Sequence, residues 1–442
     1  MSRKQARKPR AFAHTKAHEA ALATLPSFYY GPSAGVFWIP NERGGWVQTN
    51  ETTVNRLLRQ SGHSGKVPEG SHISLCERMI LAIQQRNDVA YAGPLAGYHA
   101  GMHTVCGSRV LVTESPGFIE PDSGEWPLLG RIIRGMLGDQ AQYFFGWLKV
   151  ALASLRSGKS QPGQALVLAG EVESGKSLLQ GIITRLLGGR EARPFRYMRA
   201  GSEFNAELFR AEHLVIEDEA ASADLRIRRW LGAKLKELTV NNAQSCHPKG
   251  RQPVLLTPFW RVSISLNSEP ESLLVLPPLD NSLADKLMLL RVQRQSMPMP
   301  TQTAEQRESF WAALTAELPA FTHWLSEWSI PTELHSPRFG ILHFHHPEIV
   351  AALSLLSPEE RLLALIDRVL FGGENRTTWD GTAADLEHQL RETAAGCAQE
   401  AQSLFHYPTA CGVLLGKLAQ NSEWRVKSRR RGDARLWRIL AP

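Results

Sequence analysis

Cysteine is scarce and scattered in this chain. Its 442 residues include five, Cys76, Cys106, Cys246, Cys397 and Cys411, none in a Cys-x-x-Cys spacing. That excludes a disulfide scaffold, offers no zinc pattern and suits a reducing cytoplasm. No apolar run approaches the ~18 residues that a membrane span needs, and no signal-peptide core follows Met1. Cytoplasmic residence without a membrane partner is therefore the expectation. Charged residues make up 21% and hydrophobic ones 43%, a globular mixture that excludes a disordered, fibrous or coiled-coil protein. No repeat recurs at a period of about 20 to 50 residues. The length exceeds one ordinary core and implies two or three domains.

Acid is nearly missing from the two ends. Residues 1–10 hold Arg3, Lys4, Arg7, Lys8 and Arg10 with no carboxylate. Residues 425–438 set Arg425, Lys427, Arg429, Arg430, Arg431, Arg435 and Arg438 against Asp433 alone. The net charge is only +7, so the stretch between the ends is mildly acidic. Positive charge confined to the ends suits a polyanion contacted at particular places. A frayed tail and a solvated face are the plain alternative.

Four segments follow from the patterning. Residues 1–25 read as a basic flexible arm. Residues 26–160 mix strand-like pieces at 35–40, 45–48 and 108–113 with helical spacing at 74–85 and 128–155. They show no paired carboxylates and no ligand cluster. The polar stretch 157–163 is a linker. Residues 161–335 then read as an α/β domain, and 336–442 as a helical domain ending in a basic strand pair.

Chemistry concentrates in the third segment. Gly170-Glu171-Val172-Glu173-Ser174-Gly175-Lys176-Ser177 matches G-x-x-x-x-G-K-[ST], after the apolar run 165–169 and before a helix that takes in Leu178. Such a loop curls its backbone N–H groups around phosphates while the helix directs its positive end at them. Lys176 would reach the β and γ phosphates of ATP, and the Ser177 hydroxyl would ligate Mg²⁺. The acids Glu217, Asp218 and Glu219 end the apolar run from His213. Asp218 is the natural metal partner and Glu219 the natural activator of water, with Glu217 able to shift that register by one.

Three further features remain. Residues 241–250 read as a hairpin tip presenting His247 and Lys249, or as an ordinary exposed turn. The apolar strand from Arg261 ends in Asn267, a polar group able to contact a γ-phosphate or position water. Helical stretches at 383–390, 394–404 and 409–419, the last with Val413, Leu414 and Leu418 on one face, precede a basic hairpin turning at Gly432-Asp433. Helices followed by a hairpin describe a winged helix, with Arg425, Lys427, Arg429, Arg430, Arg431 and Arg435 placed to meet DNA phosphates. His343, His345 and His346 lack a Cys or paired acid at ligand spacing and read as a plain cluster.

The series of phosphate loop, acidic strand, basic hairpin and strand-final Asn resembles the superfamily III helicases of viruses, phages and mobile elements. It is also similar to the helicase portion of phage and plasmid primase-helicases. Motif-level resemblance spans residues 130–300. It implies an AAA+ P-loop core working as a homo-oligomeric ring, a hexamer, in the bacterial cytoplasm and encoded by a phage or mobile element. ATP and Mg²⁺ would be its cofactors. DNA would be its partner, a single strand in the channel and a duplex or origin at the winged helix. His247 and Lys249 match the hairpin that grips DNA, and Asn267 matches the sensor. The family places an arginine after the sensor to reach the neighbouring subunit's nucleotide. Here Lys286 occupies that place, with Arg291 five residues later. No primase site accompanies these motifs, so priming would need a separate primase or replication initiator. Two other readings stay open, a nucleotide-controlled origin-binding regulator and a DNA-translocating defence or packaging ATPase.

Overall fold

The computed structural model describes residues 25–199, 201–217, 225–279, 282–355, 357–373, 376–421, 424–432 and 434–442. The basic arm expected over residues 1–25 thus falls almost wholly outside the described residues. Two compact units emerge. Among the described residues, one holds those from 25 to 217, 230–265 and 282–344, and the other holds 225–229, 266–279 and those from 345 onward.

The first unit begins with an antiparallel sheet of β1 (Tyr29–Gly31), β2 (Val36–Pro40) and β3 (Trp46–Thr49). Helix α1 (Glu51–Gln60) starts where Asn50 Oδ1 accepts the Thr53 N–H, and α2 (Leu75–Arg86) starts in a Ser74/Glu77 capping box. Such caps satisfy N–H groups that the first helical turn cannot bond itself. Phe37, Val54, Leu58, Met79 and Ile83 form the small core between sheet and helices. Strands β4 (Tyr91–Gly93), β5 (Gly101–Val105) and β6 (Ser108–Val112) make a second three-stranded sheet, ordered β4-β6-β5. The helical spacing over 128–155 resolves into two helices, α3 (Pro127–Leu137) and α4 (Ala141–Ser157), because Gly138 turns at φ 54° between them.

The larger sheet of this unit comprises β7 (Ala165–Gly170), β8 (Glu191–Ala192), β9 (His213–Glu217), β12 (Arg261–Asn267) and β13 (Leu287–Val292). Helix α5 (Lys176–Leu186) follows β7, and α6 (Leu225–Val240) leads to the short antiparallel pair β10 (Gln244–Cys246) and β11 (Val254–Leu256). Sheet order is β13-β7-β12-β9-β8, with β13 parallel to β7 and with β9 parallel to both β12 and β8. All six β7 residues are buried, which is why the strand reads as an unbroken apolar run: a parallel strand is covered on both faces. Helices α3, α4, α5 and the long α7 (Ala304–Glu327) pack one face against Leu166, Leu168, Met288 and Leu290.

The carboxyl-terminal part carries α8 (Pro347–Leu355), α9 (Pro358–Ile366), β14 (Thr378–Thr382), α10 (Ala383–Arg391), α11 (Ala395–Leu404), α12 (Ala410–Asn421), β15 (Val426–Arg431) and β16 (Ala434–Leu440). Strand β14 has no counterpart in the sequence pattern. It adds to β16, giving the order β14-β16-β15, and its Trp379 joins the core with Trp437, Ile439 and Val426. On α12 the buried stripe is Cys411, Leu414, Leu415 and Leu418, while Val413 is exposed. The i, i+3, i+4, i+7 spacing of that stripe, rather than the trio Val413, Leu414 and Leu418, defines the apolar face. No helix among the described residues is long and apolar enough to cross a membrane.

Candidate functional site

The loop between β7 and α5 is shaped by two residues of positive φ, Glu173 at 60° and Gly175 at 92°. A side chain at Gly175 would meet the methyl of Met136, and one at Gly170 would meet the Val292 carbonyl, so both glycines serve close approach as well as turning. Lys176 is buried, and its Nζ donates to the Gly170 carbonyl at 3.0 Å and the Glu171 carbonyl at 2.7 Å. The ammonium therefore sits within the curl of the loop. Ser174 Oγ is buried with no hydrogen-bond partner among the described residues. A buried hydroxyl left unpaired costs about 1–3 kcal/mol, which a ligand oxygen would recover. Ser177 is exposed in the first turn of α5, Val172 is exposed within the loop, and Leu178 packs partly into the core. Arg294 holds the Glu173 carboxylate at 3.0 Å. This cradle fits a triphosphate: turned backbone, a caged cation, a helix N-terminus and an unsatisfied hydroxyl.

Behind the loop lies a closed ring of hydrogen bonds. Gln180 Nε2 donates to Ser263 Oγ at 2.8 Å, and Ser263 Oγ lies 2.8 Å from His213 Nε2. His213 Nδ1 lies 2.8 Å from Thr184 Oγ1, whose proton has the Gln180 carbonyl at 3.1 Å and Glu191 at 3.2 Å as acceptors. One assignment satisfies the ring: the imidazole donates from Nδ1 to Thr184 and accepts at Nε2 from Ser263. Burial pushes the imidazole pKa down to about 3, so the ring is neutral. The result ties α5 to β9 and β12, the strands that run toward the acids and Asn267. Sequence reading missed it, because His213, Gln180 and Ser263 look like ordinary polar residues in apolar runs.

Of the acids, Glu217 is half-buried and paired with Arg193 at 2.7 Å. Asp218 and Glu219 lie outside the described residues. Asn267 is the last residue of β12, the strand between β7 and β9. Lys286 is mostly buried and bonded to Asp285 at 2.6 Å; Arg338 holds the other Asp285 oxygen at 2.8 Å. Burial works to raise the Asp285 pKa, but those two cations outweigh it and hold the carboxyl below its usual range. Arg291 is half-buried on β13. Arg261 is fully buried, bonded to the Gln161 and Trp260 carbonyls, with burial pushing its pKa down to about 10.

The β10–β11 loop separates its two expected contacts. His247 is half-buried, its ring edge-on to Phe204 at 5.3 Å and its backbone exchanging bonds with Asn205. Lys249 is exposed at the tip. Arg251, exposed two residues on, belongs with it and was not singled out from sequence.

The carboxyl-terminal cations divide as well. Lys427, Arg429, Arg430 and Arg435 are exposed, Arg435 lying over the Trp437 ring at 4.6 Å. Arg431 ends β15, and Asp433, half of the expected turn, is outside the described residues. Arg425 corrects the sequence reading: it is buried, paired with Asp367 and bonded to the Leu440 carbonyl at 3.1 Å. Its guanidinium holds β16 to the end of α9 and is not presented to a ligand. On α12 the cation Lys417 pairs with Glu359.

No family model matches this chain, and no curated protein does. Solved structures do. An A-form apo structure of the C-terminal region of NrS-1 superposes with a TM-score of 0.53 at 12% identity, covering 96% of this chain and 98% of that one. A second apo structure of that region gives 0.52 at 11% with the same coverage. The chain shares that region's fold.

Proposed function

We propose that the chain is an ATP-driven DNA helicase of the AAA+ superfamily III kind, acting as a homo-oligomeric ring, a hexamer, in replication of a phage or mobile element. The observation that carries this reading is the phosphate cradle: Lys176 caged at the end of β7, in a sheet ordered β13-β7-β12-β9-β8. The fold shared with the C-terminal region of NrS-1 supports it to the extent that such a sheet can carry this loop. MgATP would supply the phosphoryl group whose transfer to water drives movement. Lys176 and the loop N–H groups would hold the β and γ phosphates, and Ser177 with Asp218 the metal. Glu219 would orient water and Asn267 would sense the γ-phosphate. Glu217 is a poorer candidate for either role because Arg193 already engages it.

Lys249 on the β10–β11 loop would couple turnover to the strand, with His247 as its packed support. The carboxyl-terminal arrangement of α9, β14, α10, α12, β15 and β16 reads as a winged helix. Its DNA contacts would come from the wing through Lys427, Arg429, Arg430 and Arg435, since Lys417 of α12 is spent on Glu359. Lys286 is the proposed trans-acting cation. Asp285 keeps Arg338 when Lys286 leaves, so the lysine can move without stranding a bare carboxylate.

Strand displacement on a forked duplex with ATP tests the reading. Unwinding by the wild-type chain, abolished by Lys176→Ala, is the expected result. ATP-dependent duplex binding without any unwinding would instead favour the nucleotide-controlled regulator.

A further inference from the structure

The first sheet has one face in the core and one outside it. Pairing sets Tyr30 opposite Phe37, and Phe37, Tyr30 and Ile39 belong to the core face packed on α1 and α2. Pairing also sets Tyr29 opposite Trp38 and Pro40 opposite Trp46, so alternation puts Tyr29, Trp38 and Trp46 together on the other face. All three are half-buried, and the Tyr29 and Trp46 rings stand 5.3 Å apart. No ring and no hydrogen bond engages the Trp38 indole among the described residues. Three aromatics outside the core of a three-stranded sheet are more than folding requires.

This face opens on a cleft of about 470 Å³ whose walls include Trp38, Arg210, Arg251, Glu207 and Glu114. Both arginines are exposed, and neither guanidinium has an ion pair or hydrogen bond among the described residues. Arg251 lies in the same β10–β11 loop as Lys249.

We infer that this sheet face and cleft form a binding site for single-stranded nucleic acid, with bases stacked on Trp38 and the backbone phosphates on Arg210 and Arg251. An aromatic face stacks any base, and neighbouring guanidiniums follow the phosphates, which together make a sequence-tolerant single-strand site. The volume is that of a small-ligand pocket, with room for a nucleotide and not for a duplex. Glu207 and Glu114 offer acceptors to base amines and oppose the denser phosphate charge of a duplex. The aromatic row extends past the cleft, which favours a strand over a lone nucleotide. This inference rests on the DNA-motor reading and assigns the amino-terminal module a task within it, delivering a strand to the Lys249 loop.

The test uses the full chain, a labelled thymidine oligonucleotide and fluorescence anisotropy without ATP. Trp38→Ala should weaken binding about tenfold, and Trp38→Phe should restore most of it. The double variant Arg210→Gln with Arg251→Gln, at surface positions, should lower the slope of log K against log salt by about 0.7 for each phosphate no longer neutralised. Unchanged affinity and slope in these variants, while Lys249→Ala binds weakly, would overturn the sheet site and leave the motor reading standing. Absence of oligonucleotide binding by the wild-type chain would end both. Thymidine monophosphate binding as tightly as the oligonucleotide would make the cleft a nucleotide pocket, overturning the strand site. Unchanged affinity in Trp38→Ala combined with new protease sensitivity of residues 1–24 would show that the chain's own arm covers the face, with the same consequence.

Discussion

Lys176 and Arg425 are both buried cations, yet their surroundings set opposite expectations. The Lys176 ammonium is held by two backbone carbonyls of the loop, which place its charge where phosphate oxygens would enter. Lys176→Ala should lower ATP hydrolysis roughly 100-fold or more, as removal of a transition-state stabiliser does, with little change in melting temperature. A steady-state phosphate-release assay alongside a thermal melt checks both halves. Arg425 is already matched by Asp367. Arg425→Ala should destabilise the carboxyl-terminal unit by about 3 kcal/mol, since it leaves a paired carboxylate without its partner, and chemical denaturation would read it. Replacing the exposed Lys427, Arg429 and Arg430 by Gln should leave that stability alone. It should lower the salt slope of duplex binding by about 0.9 for each phosphate those cations neutralise. Seven basic residues near one end look alike in a sequence; only burial and partners separate a strut from a solvent-facing cation.

At the scale of elements, the ring through Gln180, Ser263, His213 and Thr184 is the join between α5 and the strands behind it. Its central imidazole is neutral when folded, with a pKa of about 3, and titrates near 6.5 when unfolded. The unfolded chain therefore binds the extra proton first. Stability from this group is complete above about pH 6.5 and is lost as pH falls toward 3. Denaturation midpoints measured from pH 7 to pH 4 should fall steadily, and His213→Gln should flatten that dependence while starting lower at pH 7. The loop, α5 and β7 were legible in the sequence because a glycine-rich motif between an apolar run and a helix has few other solutions. Strand β14 was not, because its five residues contain Asp380, Gly381 and two threonines, and only the pairing with β16 makes them a strand.

For the whole molecule, the proposed ring makes a test available that no single chain offers. Lys176→Ala and Lys286→Ala proteins should each hydrolyse ATP poorly, and their mixture should regain part of the activity. A mixed interface can pair an intact loop with an intact lysine. Full activity of Lys286→Ala alone, together with an inactive Arg291→Ala, would move the trans-acting role to Arg291. Truncation is a poor probe of the β15–β16 hairpin. Removing residues 425–442 deletes Val426, Trp437 and Ile439 from the carboxyl-terminal core along with the cations, so unfolding would obscure any effect on DNA binding.

The sequence by itself determined the glycine-rich loop, the apolar strand before it, the helix after it, and where positive charge gathers. Those depend on local spacing: a helix repeats every three to four residues, a buried strand is continuously apolar, and a loop needs its glycines in place. Tertiary structure decided what the side chains are free to do. Arg425 became a strut because Asp367 meets it, His247 lies against Phe204, the Asp285 beside Lys286 is shared with Arg338, and Tyr29, Trp38 and Trp46 share a face because β1, β2 and β3 pair in one register. Each of these outcomes depends on a partner distant in the chain or on a pairing register, and local spacing carries no information about either.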